Sequence, residues 1–188
     1  MIKIIFESHA TSLDNEQDLS SGHNDVELSK LGLQQAKELG IRYISEELDA
    51  IFCSDLQRSY KTAEIAFSGR SIPIIQDKRL RECDYGDLTQ HPADEIKEQR
   101  AERIKKPFPS GESYEQTSER MKNFLEDLLE KYDGKRVMII GHRATQYGLE
   151  HWIKGVGLRE VVTAPWQWQP GWVYELEGLT QERLSLVH

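Results

Sequence analysis

Two histidines stand where apolar runs of the sequence break off. His9 comes shortly after IKIIF, and His142 follows VMIIG. Arg58 comes shortly after a third run, AIFCS, and Glu82 sits in LRECDYG. Together these side chains can carry one chemistry. A neutral imidazole such as that of His9 can attack a phosphoryl group, giving a phosphohistidine that water then cleaves. The three anionic oxygens need fixed cationic donors as charge redistributes. Arg58 can supply a bidentate guanidinium clamp, and His142 a further hydrogen bond. The leaving oxygen needs an acid. Glu82 fits that role if burial keeps its carboxyl protonated. Each residue alone has a plainer reading: a polar loop start, a solvated helix arginine, a surface carboxylate. The convergence of the set is what points to chemistry.

The elements that must position these groups are readable from periodicity. Ile2–Phe6 reads as a short buried strand, and the polar stretch 11–24 as a loop. From Leu28 a helix is expected, with Ser29 as N-cap and Leu31, Ala36, Leu39 and Tyr43 on one face. DAIFCSD reads as a second strand, followed by a helix opening at Asp55-Leu56-Gln57-Arg58 and running to about Phe67. SIPIIQD reads as a third strand. The segment 80–111 is charged, holds Pro92, Pro107 and Pro109, and carries a polar helix candidate over Ala93–Arg103. It is expected to leave the main layer, as part of a lid. GESYEQTSERMKNFLEDLLEKYDG reads as an amphipathic helix, with Met121, Phe124, Leu125, Leu128 and Leu129 inward and Gly134 as its C-cap. KRVMIIGHRATQ is a strand running into a helix. GWVYELEG and ERLSLVH read as two final antiparallel strands. Strands alternating with helices predict one α/β domain over 1–188 with a mostly parallel sheet, whose ligands bind beyond the carboxyl ends of the strands. His9, His142 and Arg58 all fall at that edge.

Composition narrows the classes. The formal net charge of −8 over 188 residues argues against a nucleic-acid surface, which needs a basic stripe. One small phosphate in a local cationic pocket is compatible with it. No apolar run reaches membrane-spanning length, and the N-terminus lacks the pattern of a signal peptide. Neither a membrane nor a nucleic-acid partner is expected. Cys53 and Cys83 form no metal pair and read as buried small apolar residues in a reducing cytoplasm. Taken with His9 and His142 they match no zinc spacing, so no metal is expected. The oligomeric state is left open.

The residues SHATSLDN, SDLQRSYKTAEIAF, LRECDYG, PSGESYEQTSERMKNFL and IIGHRA, in this order, resemble the histidine phosphatase superfamily of phosphoglycerate mutase-like fold. The resemblance runs from Ile2 to about Trp152. It implies a three-layer α/β/α sandwich and a phosphohistidine mechanism without metal or cofactor. Residue by residue, His9 matches the nucleophile and Arg58 the phosphate-binding arginine. Glu82 matches the proton donor, His142 the second histidine, and Asn15 a phosphate-binding asparagine.

One position departs from that pattern. The family's Arg-His-Gly is here Ser8-His9-Ala10, with Glu7 before it and Arg143 after the second histidine. A charge-assisted hydrogen bond contributes on the order of 1.5–3 kcal/mol. Losing a bidentate pair therefore costs roughly 10²-fold in affinity or rate. Arg143 swinging into the vacancy beside Ser8 is the favoured compensation. The competing placements are in solvent or paired with Glu7. Trp166, Trp168 and Trp172 are expected to cover the sheet end rather than to line a substrate or partner surface. Whether Tyr85 and His23 reach the pocket mouth is left open. The function expected is a phosphomonoesterase acting on a small soluble phosphorylated compound. A mutase and a catalytically silent phosphate-binding module are the alternatives.

Overall fold

The computed structural model describes residues 1–180. Its centre is a five-stranded sheet of order β3-β2-β4-β1-β5. The strands are β1 (Ile2–Ser8), β2 (Ala50–Cys53), β3 (Ile74–Gln76), β4 (Arg136–Gly141) and β5 (Trp172–Leu176). The first four run parallel, and β5 pairs antiparallel with β1 at the edge. The helices are α1 (Leu13–Glu16), α2 (Lys30–Arg42), α3 (Gln57–Ala66), α4 (Ala93–Gln99), α5 (Tyr114–Lys131), α6 (Arg143–Lys154) and α7 (Leu158–Thr163).

The continuous apolar runs exist because both sheet faces are covered. Alternate residues take opposite sides. Ile4, Phe6, Phe52, Val137 and Ile139 pack with Met121, Phe124, Leu125 and Leu128 of α5 and Leu149 and Trp152 of α6. Ile5, Ile51, Cys53, Met138 and Ile140 pack with Leu39 of α2 and Ala63 of α3. This is the α/β/α sandwich expected. Cys53 and Cys83 are both fully buried, as the sequence suggested. Among the described residues no helix is long and apolar enough to cross a membrane.

Local details differ from the sequence reading for identifiable reasons. The 11–24 stretch is not all loop, because Ser12 and Asn15 form a reciprocal cap that folds α1: each side chain accepts the other's backbone N–H, at 3.2 and 3.0 Å. Ser29 caps α2 as expected, accepting from the Gly32 N–H at 3.1 Å. Leu31, however, is exposed, and Gly32 takes its place on the inner face with Ala36 and Leu39. Gly32 lies so close to the Thr11 carbonyl that an added Cβ would be 2.0 Å from its oxygen, so only glycine lets this turn approach. Helix α3 starts at Gln57 rather than Asp55, because the Asp55 carboxylate is held by Arg81 at 2.7 Å. Helix α4 ends at Gln99, short of Arg103. The Arg103 guanidinium closes the following turn onto the Gln99 side chain and the Pro107 carbonyl. Tyr132, not Gly134, caps α5; Gly134, at φ +76°, makes the left-handed turn toward β4. The last expected strand, ERLSLVH, lies outside the described residues.

The segment after β3 forms its own apolar cluster. Cys83, Tyr85, Ile96 and Phe108 pack against Tyr114, Tyr147 and Val162. Edge-to-face rings connect Tyr85, Phe108, Tyr114 and Tyr147, with centroids 5.1–5.9 Å apart.

Helices α2 and α3 touch at a second glycine. A Cβ on Gly40 would stand 2.1 Å from the Ala66 carbonyl oxygen. Replacing a helical glycine with alanine usually stabilises by about 1 kcal/mol. Here the sign should reverse: Gly40→Ala is expected to lower stability by roughly 1–3 kcal/mol, read as a lower urea midpoint. A raised midpoint would refute the α2–α3 contact.

Candidate active site

Strand register assembles the site. β1 and β4 lie side by side with Ser8 opposite Gly141. The next residues, His9 and His142, therefore leave the sheet together. The His9 backbone N–H donates to the Gly141 carbonyl at 3.0 Å, and the two imidazoles lie 4.9 Å apart, tilted by 56°. β2 flanks β4 on its other side, with Cys53 opposite Ile140. That brings Ser54 alongside, its hydroxyl 2.7 Å from His142 Nε2.

The hydrogen bonds fix the state of His9. Its Nδ1 is 2.7 Å from the Ala10 carbonyl. A carbonyl only accepts, so the proton sits on Nδ1 and the lone pair on Nε2. Burial, with the Arg58 charge adding to it, lowers the His9 pKa to about 3. The ring is neutral at physiological pH. Burial, followed by the Arg58 and His9 contributions, also holds the His142 pKa well below its usual value. The Ser54 hydroxyl holds Nε2, and Nδ1 is sealed from solvent at the start of α6.

Arg58, in the first turn of α3, is only 2% exposed. Its guanidinium donates to the Asn24 carbonyl at 2.8 Å and the Gly22 carbonyl at 2.7 Å. The loop carbonyls offset the cost of burying the charge and aim the fork. Thr62, one turn further along α3, links this helix to the turn after His9: its hydroxyl donates to the Arg58 carbonyl and accepts from the Ala10 N–H.

Glu82 is placed by its backbone and by one oxygen. Oε1 accepts from the Cys83 N–H at 2.8 Å and from the Ala144 N–H at 3.2 Å, at the start of α6. Arg120 of α5 donates to the carbonyls of Arg79, Arg81 and Glu82 at 2.7–2.9 Å. Thr145 ties the Leu80 carbonyl to the His142 N–H. Oε2 accepts no hydrogen bond among the described residues.

His9, Arg58, Glu82 and His142 all line one cavity of about 1160 Å³. Asn15, Ser8 and Arg143 line it too. Asn15 spends its carbonyl oxygen on the α1 cap, which leaves its amide N–H groups for a ligand. Glu7 is not the partner of Arg143: it accepts from Arg42 at 2.7 Å and from the Tyr43 hydroxyl at 2.6 Å. Arg143 instead lies over the Trp166 ring, its Cζ 4.8 Å from the centroid. The tryptophans correct the expectation in part. Trp172 does cover the sheet, against Phe6, but Trp166 and Trp168 line the cavity. Tyr85 reaches the cavity, whereas His23 is turned to the Glu82 carbonyl at 2.8 Å.

Sequence reasoning missed Ser54, Thr62, Arg120 and Arg100. Ser54 carried a signal, since it ends an apolar run as His9 and His142 do. Thr62 lies one helical turn from Arg58. Arg120 and Arg100 reach the site only through tertiary contacts.

Two outcomes follow from this geometry. Both imidazoles should stay neutral from pH 5 to 8, so their ring resonances in NMR should not move across that range; a midpoint near 6.5 would contradict the burial described. Sign matters for stability as well. The unfolded chain takes up a proton on His9 below about 6.5, and the folded one only near 3. His9 therefore weakens folding progressively as pH falls between those values. Ser54→Ala should reduce kcat about tenfold by freeing the His142 ring from its Nε2 anchor, with KM changed far less; equal losses in both would point to general disruption.

A family model described as the histidine phosphatase superfamily (branch 1) matches residues 4–182. Phosphoserine phosphatase 1 of Hydrogenobacter thermophilus is 29% identical, covering 84% of this chain and 79% of that protein. A protein of Salmonella arizonae named "Probable phosphoglycerate mutase GpmB" is 30% identical, covering 95% of this chain and 93% of its own length. The solved structure of Bacillus stearothermophilus YhfR superposes with a TM-score of 0.82 at 28% identity, covering 95% of this chain and 93% of that one. The chain belongs to the histidine phosphatase superfamily.

Proposed function

We propose that this protein is a phosphomonoesterase that hydrolyses a small phosphorylated metabolite through a phosphohistidine on His9, without a metal ion. The observation that carries the reading is the His9 tautomer. Nδ1 is tied to the Ala10 carbonyl, and the Nε2 lone pair lies in a cavity shared with a buried guanidinium and a second neutral imidazole.

The steps balance. Nε2 of His9 attacks phosphorus from the side opposite the ester oxygen, and the phosphorus–oxygen ester bond breaks in line. Glu82 gives its proton to the departing oxygen, releasing the alcohol. Arg58, the Asn15 amide and the His142 ring hold the non-bridging oxygens as charge spreads onto them. Water then attacks the phosphohistidine, Glu82 takes its proton, and phosphate leaves with His9 neutral again. Ser8 adds a hydroxyl at the place where the family pattern has a guanidinium.

The test is hydrolysis of p-nitrophenyl phosphate. The parent should release phosphate and His9→Ala should not, and acid and base treatment should show an acid-labile, base-stable phosphoryl enzyme in the parent alone. Equal inertness of both proteins would favour a silent phosphate-binding module. Transfer to an acceptor alcohol in place of water would favour a mutase. Glu82→Gln should lower kcat roughly 10²–10⁴-fold on alkyl phosphates. The loss should be much smaller on p-nitrophenyl phosphate, whose leaving group needs little protonation. A uniform loss on both substrates would remove Glu82 from the proton-donor role.

A further inference from the structure

His23 stands beside the site, in the loop between α1 and α2, and the proposed mechanism gives it no part. It does not line the cavity. Its loop is pressed onto the segment that carries Glu82. Ser20 donates to the His91 carbonyl at 2.9 Å and accepts from the Gln90 N–H at 2.7 Å. Gly22, at φ +49°, brings the chains closer still. A Cβ there would meet the Tyr85 ring at 3.1 Å and the Tyr85 backbone nitrogen at 3.2 Å. This approach lets the His23 ring reach the Glu82 carbonyl, with Nε2 2.8 Å away. A carbonyl only accepts, so a proton sits on Nε2. Two carboxylates bracket the ring: Asp84 lies 3.5 Å from Nδ1 and Glu112 3.8 Å from Nε2.

The residues on either side of His23 hold the phosphate clamp. Arg58 donates to the carbonyls of Gly22 and Asn24 at 2.7 and 2.8 Å. Three consecutive residues therefore fasten Arg58 through their main chain and Glu82 through one side chain. Arg120 is the other donor to the Glu82 carbonyl, also at 2.8 Å. It anchors Glu82 to α5, whereas His23 anchors it to the loop that aims Arg58. The difference matters for proton transfer. The acid must stay within hydrogen-bond reach of the leaving oxygen while the guanidinium grips the same phosphoryl group, so the spacing of these two groups is what catalysis requires.

Resting on the reading of Glu82 as proton donor, we infer that His23 is a positioning residue: it fixes Glu82 relative to the phosphoryl group held by Arg58, and so acts on protonation of the leaving oxygen.

The test compares glycerol 3-phosphate, whose leaving group needs a proton, with p-nitrophenyl phosphate, whose leaving group needs little. His23→Leu should lower kcat on glycerol 3-phosphate about 3–10-fold. KM for both esters, and kcat on p-nitrophenyl phosphate, should stay within about twofold of the parent. His23→Gln, whose amide nitrogen reaches as far as imidazole Nε2, should restore most of the loss. His23→Asn, whose amide reaches only as far as Nδ1, should not. In a Glu82→Gln background, His23→Leu should cost nothing further on glycerol 3-phosphate, because the two residues act as one unit. Equal losses on both esters, rescue by Asn as complete as by Gln, or an undiminished cost in the Glu82→Gln background would each overturn the positioning role and leave the hydrolase reading intact. A uniform loss on both esters in Glu82→Gln itself overturns the proton-donor reading, and the positioning role with it. A parent inert to both esters overturns the hydrolase reading and the positioning role together.

Discussion

The parallel pairing of β1 with β4, in the register that sets Ser8 opposite Gly141, is the constraint on which the rest of the molecule depends. The two histidines lie at distant points of the chain and meet only because both strands end at the same level. Register is enforced by burial. Ile4, Phe6, Val137 and Ile139 must face α5 and α6, while Ile5, Met138 and Ile140 must face α2 and α3. A slip of one residue would turn every one of these side chains to the wrong layer. It would also separate the imidazoles. The same apolar contacts that hold the sheet together therefore set the 4.9 Å spacing of the site.

That spacing has an electrostatic consequence. Two imidazoles so close together, with a buried guanidinium beside them, cannot both carry charge in a dry cavity. The free protein resolves this by keeping both rings neutral and by letting main-chain carbonyls at Gly22 and Asn24 solvate Arg58. The Ala10 carbonyl at Nδ1 of one ring and the Ser54 hydroxyl at Nε2 of the other give two chemically identical side chains different surroundings. Glu82 is held apart from this pair by Arg120 and the start of α6, which suits a group that acts on the opposite side of phosphorus.

How legible each part was depends on whether its cause is local. His9 and His142 were readable because a polar residue at the end of a fully apolar run can only sit at a strand's carboxyl end. Arg58 and Glu82 became readable once the ordered motifs were set beside them. The α2 face was misread at Leu31, because hydrophobicity hid what Gly32 does: its lack of a side chain lets the helix rest on Thr11. Helix α1 was invisible to apolar periodicity because side-chain capping makes it. Arg120 and Arg100 were illegible for a stronger reason. A surface arginine and one that clamps three buried carbonyls look the same until the fold brings the carbonyls to it. The tryptophan run divided along the same line: Trp172 followed strand alternation, while the positions of Trp166 and Trp168 were set by a loop.

The substitution at Ser8 takes on a different meaning within this arrangement. A guanidinium beside the nucleophile grips the oxygens that gain charge during transfer, so its contacts strengthen in the transition state and raise kcat. A hydroxyl offers one neutral donor where a guanidinium offers a charged fork, so under the proposed mechanism the exchange at Ser8 bears on kcat rather than on KM.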